Sequence, residues 1–177
     1  MRKVTLPLKK EDIETLHAGE AVLLSGIIYT ARDAAHKRLC QMIEKKEELP
    51  FDLQGQTIYY VGPTPARPGQ AIGSAGPTTS SRMDPYVPLL AGHGLKGMIG
   101  KGKRSKEVKQ TVAAHGMIYF VCTGGAGALL SHCIIKREMI AFPELLAEAV
   151  TKLELKDFPC FVGLDIYGND IYELEGE

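Results

Sequence analysis

The chain has 177 residues, with 21 Lys and Arg balanced against 21 Asp and Glu, and 45% of it is hydrophobic; this fits a single domain over residues 1–177 with a core of its own. A net charge of zero gives no electrostatic footprint for nucleic acid or an anionic membrane, although one cleft can still gather positive charge for a small anion. No apolar run approaches the roughly 20 residues of a membrane span, and Met1-Arg2-Lys3-Val4-Thr5-Leu6-Pro7 lacks the apolar stretch of a signal peptide, so a cytoplasmic location is expected.

After a lead-in with a short strand near Val4–Leu6, the apolar run Ala21–Tyr29 reads as a buried strand. Thr30 followed by Asp33 reads as a capping box that opens a helix from Ala31 to about Lys46, with Ala35, Leu39, Met42 and Ile43 on one face. Thr57–Val61 is a second strand. Residues 62–84 then hold four glycines and four prolines, a density that rules out regular structure and predicts a long functional loop. Beyond it the pattern predicts a short helix over Pro85–Gly92, a strand at Gly97–Gly100, a helix over Ser105–His115 capped by Ser105, and a buried strand over Met117–Cys122. A glycine-rich turn at Gly124–Gly127 opens another short helix, Pro143–Val150 is helical, and Phe161–Tyr167 with Ile171–Glu173 flanks a hairpin turn at Gly168-Asn169-Asp170. The class is α/β, with a mixed sheet and an antiparallel element at the end.

The four cysteines, Cys40, Cys122, Cys133 and Cys160, show no C-x-x-C spacing. That argues against a zinc site or a complete iron–sulfur site in this chain, and Cys122 and Cys160, lying in apolar runs, read as core thiols. Four segments could carry chemistry. Arg32, in the first turn of the helix, is either a surface arginine beside a capping aspartate or, with the helix N-terminus, a carboxylate receptor; His36 lies one turn on. Thr78-Thr79-Ser80-Ser81-Arg82-Met83-Asp84 is either a polar surface turn or a rigid loop aiming hydroxyls and a guanidinium at an anion, with Asp84 pairing with Arg82 or capping the next helix. In Gly100-Lys101-Gly102-Lys103-Arg104-Ser105 the glycines single out Lys101, while Lys103, Arg104 and Lys106 read as solvated surface; the Walker spacing is missing. Gly124-Gly125-Ala126-Gly127 departs from the dinucleotide fingerprint and reads as a tight strand-to-helix turn.

In this order, Thr30–His36, Gly62-Pro63-Thr64-Pro65, Gly76–Asp84, Gly97–Gly102, Gly124-Gly125-Ala126, Phe142-Pro143-Glu144-Leu145, Asp157-Phe158-Pro159 and Gly168-Asn169-Asp170 resemble the β-subunit, or C-terminal domain, of class I fumarases and L-tartrate dehydratases over roughly Leu6–Glu173. The resemblance implies a swivelling β/β/α domain. It implies a hydro-lyase that hydrates fumarate to L-malate, with tartrate dehydration as the alternative, and a hetero-oligomer active only with an α-subunit. That partner's cysteines would hold a [4Fe–4S] cluster, whose open iron is a Lewis acid for the dicarboxylate. Arg32, Arg82 and Thr79 would bind substrate, and Thr78, Arg82 and Lys101 would be catalytic. Thr78 would move the proton at carbon, a hard task for a hydroxyl unless a charge such as Lys101 lowers its pKa. Asp33 and His36 would support them from behind. Ser80-Ser81 and Gly127 depart from the forms common in relatives, the first in a place that could tune substrate choice. The competing reading, from another class of function, is a non-catalytic anion-binding or assembly module that keeps the fold.

Overall fold

A computed structural model describes residues 1–122 and 126–174. The elements in order are β1 (Arg2–Leu6), α1 (Lys10–Thr15), β2 (Ala21–Thr30), α2 (Asp33–Glu44), β3 (Thr57–Tyr59), a 3₁₀ turn (Ser80–Tyr86), α3 (Val87–Gly92), β4 (Gly97–Gly100), α4 (Lys106–His115), β5 (Ile118–Val121), α5 (Gly127–Ser131), β6 (Ile134–Ala141), a second 3₁₀ segment (Pro143–Glu148) and β7 (Val150–Leu164). The architecture is mixed α/β, a sheet with flanking helices.

β1 to β5 run parallel, in the order β1-β2-β3-β4-β5. β7 then pairs antiparallel with β5, with β2 and with the edge strand β6. Because β7 joins β5 back to β2, the pairings β2-β3-β4-β5-β7 close into a ring. Period-two alternation sorts the ring's side chains onto two faces. Tyr59, Val61, Ile99, Ile118, Phe120, Leu153, Phe158 and Val162 fall in one apolar cluster, to which β1 and α1 add Leu6, Ile13 and Leu16. Ile58, Tyr60, Met98, Tyr119 and Val121 point the other way, into a second cluster with Leu39 of α2, Leu90 of α3 and Val112 of α4.

The 15 residues of β7 explain why only its end is legible in the sequence. Lys156 and Asp157 bulge out opposite Ser25, where the register slips between Leu24 and Gly26. Asp157 takes a positive φ of 50° and donates its N–H to Ser25 Oγ at 3.0 Å. Pro159 lies where β7 is paired along β2 alone, between the stretches that meet β6 and β5, so its missing N–H interrupts no second ladder. β6, mostly exposed and containing Lys136, Arg137 and Glu138, has the polar edge-strand composition that hides a strand from pattern reading.

Three expected elements are corrected. Thr30 caps nothing: it is the buried last residue of β2, and its Oγ1 donates to Ala149 O at 3.3 Å and accepts from Thr151 N–H at 3.1 Å. α2 starts at Asp33 with Arg32 as its N-cap and ends at Glu44. Pro143–Val150 is no helix, because Leu146 turns out of helical geometry (φ 54°, ψ −117°) and Val150 already belongs to β7. The turn at Gly168-Asn169-Asp170 is closed by a single Leu164–Asp170 bridge, with no second strand. Asp165 holds it, accepting from Ala18, Tyr167 and Asn169 N–H groups. The cap of α4 is as expected: Ser105 Oγ accepts from Val108 N–H at 3.2 Å.

Candidate active site

The carboxyl ends of parallel strands gather the candidate residues. Arg32 and Asp33 follow β2, Tyr60 to Gly62 follow β3, and Lys101 follows β4. The expected turn after β5, Thr123-Gly124-Gly125, falls outside the described residues. In α/β folds, open or closed, the carboxyl ends of parallel strands are where ligands bind, because loops from successive strands meet there.

Arg32 is doubly fixed at the start of α2. Its carbonyl accepts the His36 backbone N–H at 2.9 Å and lies 2.8 Å from His36 Nδ1. A carbonyl partner requires that Nδ1 carry the proton, which leaves Nε2 as an acceptor. Nε2 is buried with no partner among the described residues, as is Arg32 Nε. Burial lowers the His36 pKa to about 4, despite the Arg32 carbonyl, which works to raise it. A neutral imidazole thus packs between Tyr60 and Tyr86, at ring distances of 5.3 and 5.7 Å. The Arg32 side chain runs over Gly62, where a Cβ would stand 2.7 Å from Nη1.

Arg82 reaches the same place from the 3₁₀ turn. Its Nε lies 3.2 Å from Asp33 Oδ1, so the ion pair ties Arg82 to the residue that follows Arg32. Half of the Arg82 side chain remains exposed, so the pair fixes geometry more than it adds stability. Thr78 donates its backbone N–H and its Oγ1–H to the Tyr60 carbonyl, at 2.8 and 3.1 Å. That acceptor favours the protonated hydroxyl, and the oxygen's lone pairs are left to face a ligand. Thr79 bridges to Lys101 in parallel register, and Lys101 has no ion-pair partner among the described residues. The structure therefore joins Arg82 to Asp33, the neighbour of Arg32, and Thr79 to Lys101, and it ties Thr78 to the carbonyl of Tyr60, on whose ring His36 packs.

Arg104 and Asp84 overturn their sequence reading. The Arg104 side chain is wholly buried, and its Nε donates to Asp84 Oδ1 at 2.6 Å. Asp84 Oδ2 accepts from the Ser105 N–H at 2.8 Å, so Asp84 neither pairs with Arg82 nor caps the helix after it. Arg104 looked solvated because it lies in a basic run. The signal that could have found it is Tyr60 and Tyr119, two phenols in buried strands that need polar partners.

The four cysteines do not assemble. Cys122 and Cys160 lie in one apolar cluster and Cys40 in the other, and no three His, Cys, Asp or Glu side chains converge as a metal-binding group among the described residues. Among the described residues no set fits an iron–sulfur cluster. Among the described residues no helix is long and apolar enough to cross a membrane.

Fold and site define an α/β domain whose strand ends and one loop carry two guanidiniums, an ammonium and hydroxyls, groups that can bind a small anion. A family model described as "Fumarase C-terminus" matches residues 1–175, and the chain belongs to that family. It is 43% identical over 152 residues to the anaerobic class I fumarate hydratase of Escherichia coli K12, covering 85% of this chain and 28% of that protein. It is 41% identical over 165 residues to fumarate hydratase 2 of Leishmania major, covering 92% of this chain and 29% of that protein. A Methanocaldococcus jannaschii protein provisionally named L(+)-tartrate dehydratase subunit beta is 38% identical over 172 residues, which is 94% of this chain and 88% of that one. The chain thus spans under a third of these two fumarate hydratases, and most of the tartrate dehydratase subunit.

Proposed function

We propose that this chain is the β-subunit of an iron–sulfur hydro-lyase that reversibly hydrates fumarate to L-malate, in one swivelling β/β/α unit over residues 1–177. The observation that supports this reading is the ion pair of Arg82 with Asp33, which ties the loop carrying Thr78 and Thr79 to the residue next to Arg32, while Thr79 bridges to Lys101. Arg32 and Arg82 bind the substrate carboxylates, each through two parallel N–H···O bonds, and Thr79 adds a hydroxyl. Thr78 handles the proton at the substrate carbon, with Lys101 supplying positive charge nearby. The [4Fe–4S] cluster that supplies Lewis-acid chemistry belongs to the partner α-subunit. A cytoplasmic hetero-oligomer is the matching state.

L-tartrate dehydration is the second reading, supported by the 38% identity to the M. jannaschii subunit over 172 residues. The test is to reconstitute the chain anaerobically with its cysteine-bearing partner and assay both substrates. Turnover of fumarate supports the first reading and turnover of tartrate alone the second. If neither substrate reacts while the cluster is spectroscopically intact, both fail.

A further inference from the structure

The candidate residues sit on a loop and on a strand end, and a loop aims side chains well only if something beneath it is fixed. That support is a buried polar network. Arg104 lies between two aromatic faces, 4.6 Å from the Tyr119 ring centroid and 5.2 Å from that of Tyr60. Its fork grips Asp84 with Nε and the Tyr60 hydroxyl with Nη2 at 3.2 Å. The Tyr119 hydroxyl donates within reach of Ser80 Oγ at 2.8 Å and of Gly102 O at 2.9 Å. Ser80 Oγ in turn accepts the Lys101 N–H at 2.9 Å, and Ser80 N–H donates to Lys101 O at 3.0 Å. Ser80 fits against β4 only because Gly100 has no side chain: a Cβ there would fall 1.9 Å from Ser80 Oγ.

Resting on the functional reading above, we propose that Arg104 is a positioning residue: with Asp84 it pins the loop that carries Thr78, Thr79 and Arg82 to the strand end that carries Lys101. The chemistry favours arginine for this task. Only a planar fork meets a carboxylate and a phenol at once while both of its faces lie against rings. The cost of burying its charge is offset by the ionised partner and by the Ser105 N–H on that partner's other oxygen.

Two measurements test the proposal, one of them independent of activity. Amide hydrogen exchange on the chain alone compares the wild type with Arg104→Lys, which keeps the charge and loses the fork. Losing one charge-assisted bond corresponds to roughly tenfold or more in local opening. The Ser80 and Lys101 amides are therefore expected to exchange faster by at least that factor, while Leu24 and Ile28 of β2 keep their protection. In the reconstituted complex the same change lowers kcat on the order of 100-fold, the scale of a misplaced reacting group, with KM changed little. Unchanged exchange at Ser80 and Lys101 overturns the proposal. So does a uniform loss of protection with normal kcat per folded molecule, the mark of a purely structural arginine. If Arg104→Lys does not fold, Asp84→Asn, which removes the charge at the other end of the same pair, decides: faster exchange at Ser80 and Lys101 supports the tether and unchanged exchange overturns it. A wild-type complex without hydro-lyase activity refutes the functional reading and leaves the exchange result standing.

Discussion

Gly62 and Arg32 occupy one space, which holds the arginine only because position 62 has no Cβ. An added methyl would lie 2.7 Å from Nη1 and 2.9 Å from Cδ of Arg32. Gly62 is not among the positive-φ residues, so its backbone tolerates alanine and the clash falls on the guanidinium. Gly62→Ala is expected to fold normally and to raise the KM for the dicarboxylate about tenfold, the value of one impaired charge-assisted contact. Steady-state kinetics of the reconstituted complex, beside a melting curve of the chain, would check this.

Arg82 should separate activity from stability. Its pair with Asp33 is half exposed and worth below about 1 kcal/mol. Arg82→Ala is therefore expected to leave the denaturation midpoint nearly unchanged. In the complex it should lower kcat/KM by about a hundredfold or more. Unaltered kinetics would favour a non-catalytic assembly module.

His36 gives the fold a defined acid sensitivity. Its pKa is about 4 in the folded chain, lowered first by burial, against an ordinary value of 6.5. Between these two values the unfolded chain binds a proton that the folded chain refuses, so stability falls as pH drops from 6.5 towards 4 and this contribution levels off below 4. The contribution has a slope of about 1.4 kcal/mol per pH unit. Denaturant titrations across that window should show the slope in the wild type and lose that part of it in His36→Gln.

Thr30 tests the corrected reading of the β2 end. Its hydroxyl is buried between Ala149 O and the Thr151 N–H. Thr30→Val keeps the shape and strands a backbone donor, a loss of about 1–3 kcal/mol. Were Thr30 only a helix cap, the loss would instead be local to α2 and visible as faster amide exchange in its first turn.

The parallel strands were legible because Ala21–Tyr29, Thr57–Val61 and Met117–Cys122 are continuous apolar runs, as strands covered on both faces must be. Arg32 and Lys101 stood out as polar groups at the ends of such runs, and they follow the carboxyl ends of β2 and β4. β6 stayed hidden because its surroundings are solvent, and most of β7 because a positive-φ aspartate and a proline break its period. Arg104 was misread for a different cause. Sequence neighbours described it as one of a basic run, and what buries it comes from β3, β5 and the 3₁₀ turn. Local pattern carries no information about partners 20 and 44 residues away.

The strand that shuts the ring comes last in the order of elements. Until residues 150–164 have left the ribosome, β2 and β5 each present an unsatisfied backbone edge, and the apolar cluster between them stays open to water. The nascent chain thus passes through a stage when it is most vulnerable to sticking to others like itself. Locking in its final form then needs contacts spanning more than 130 residues, which makes completion slow relative to a helical bundle of similar size.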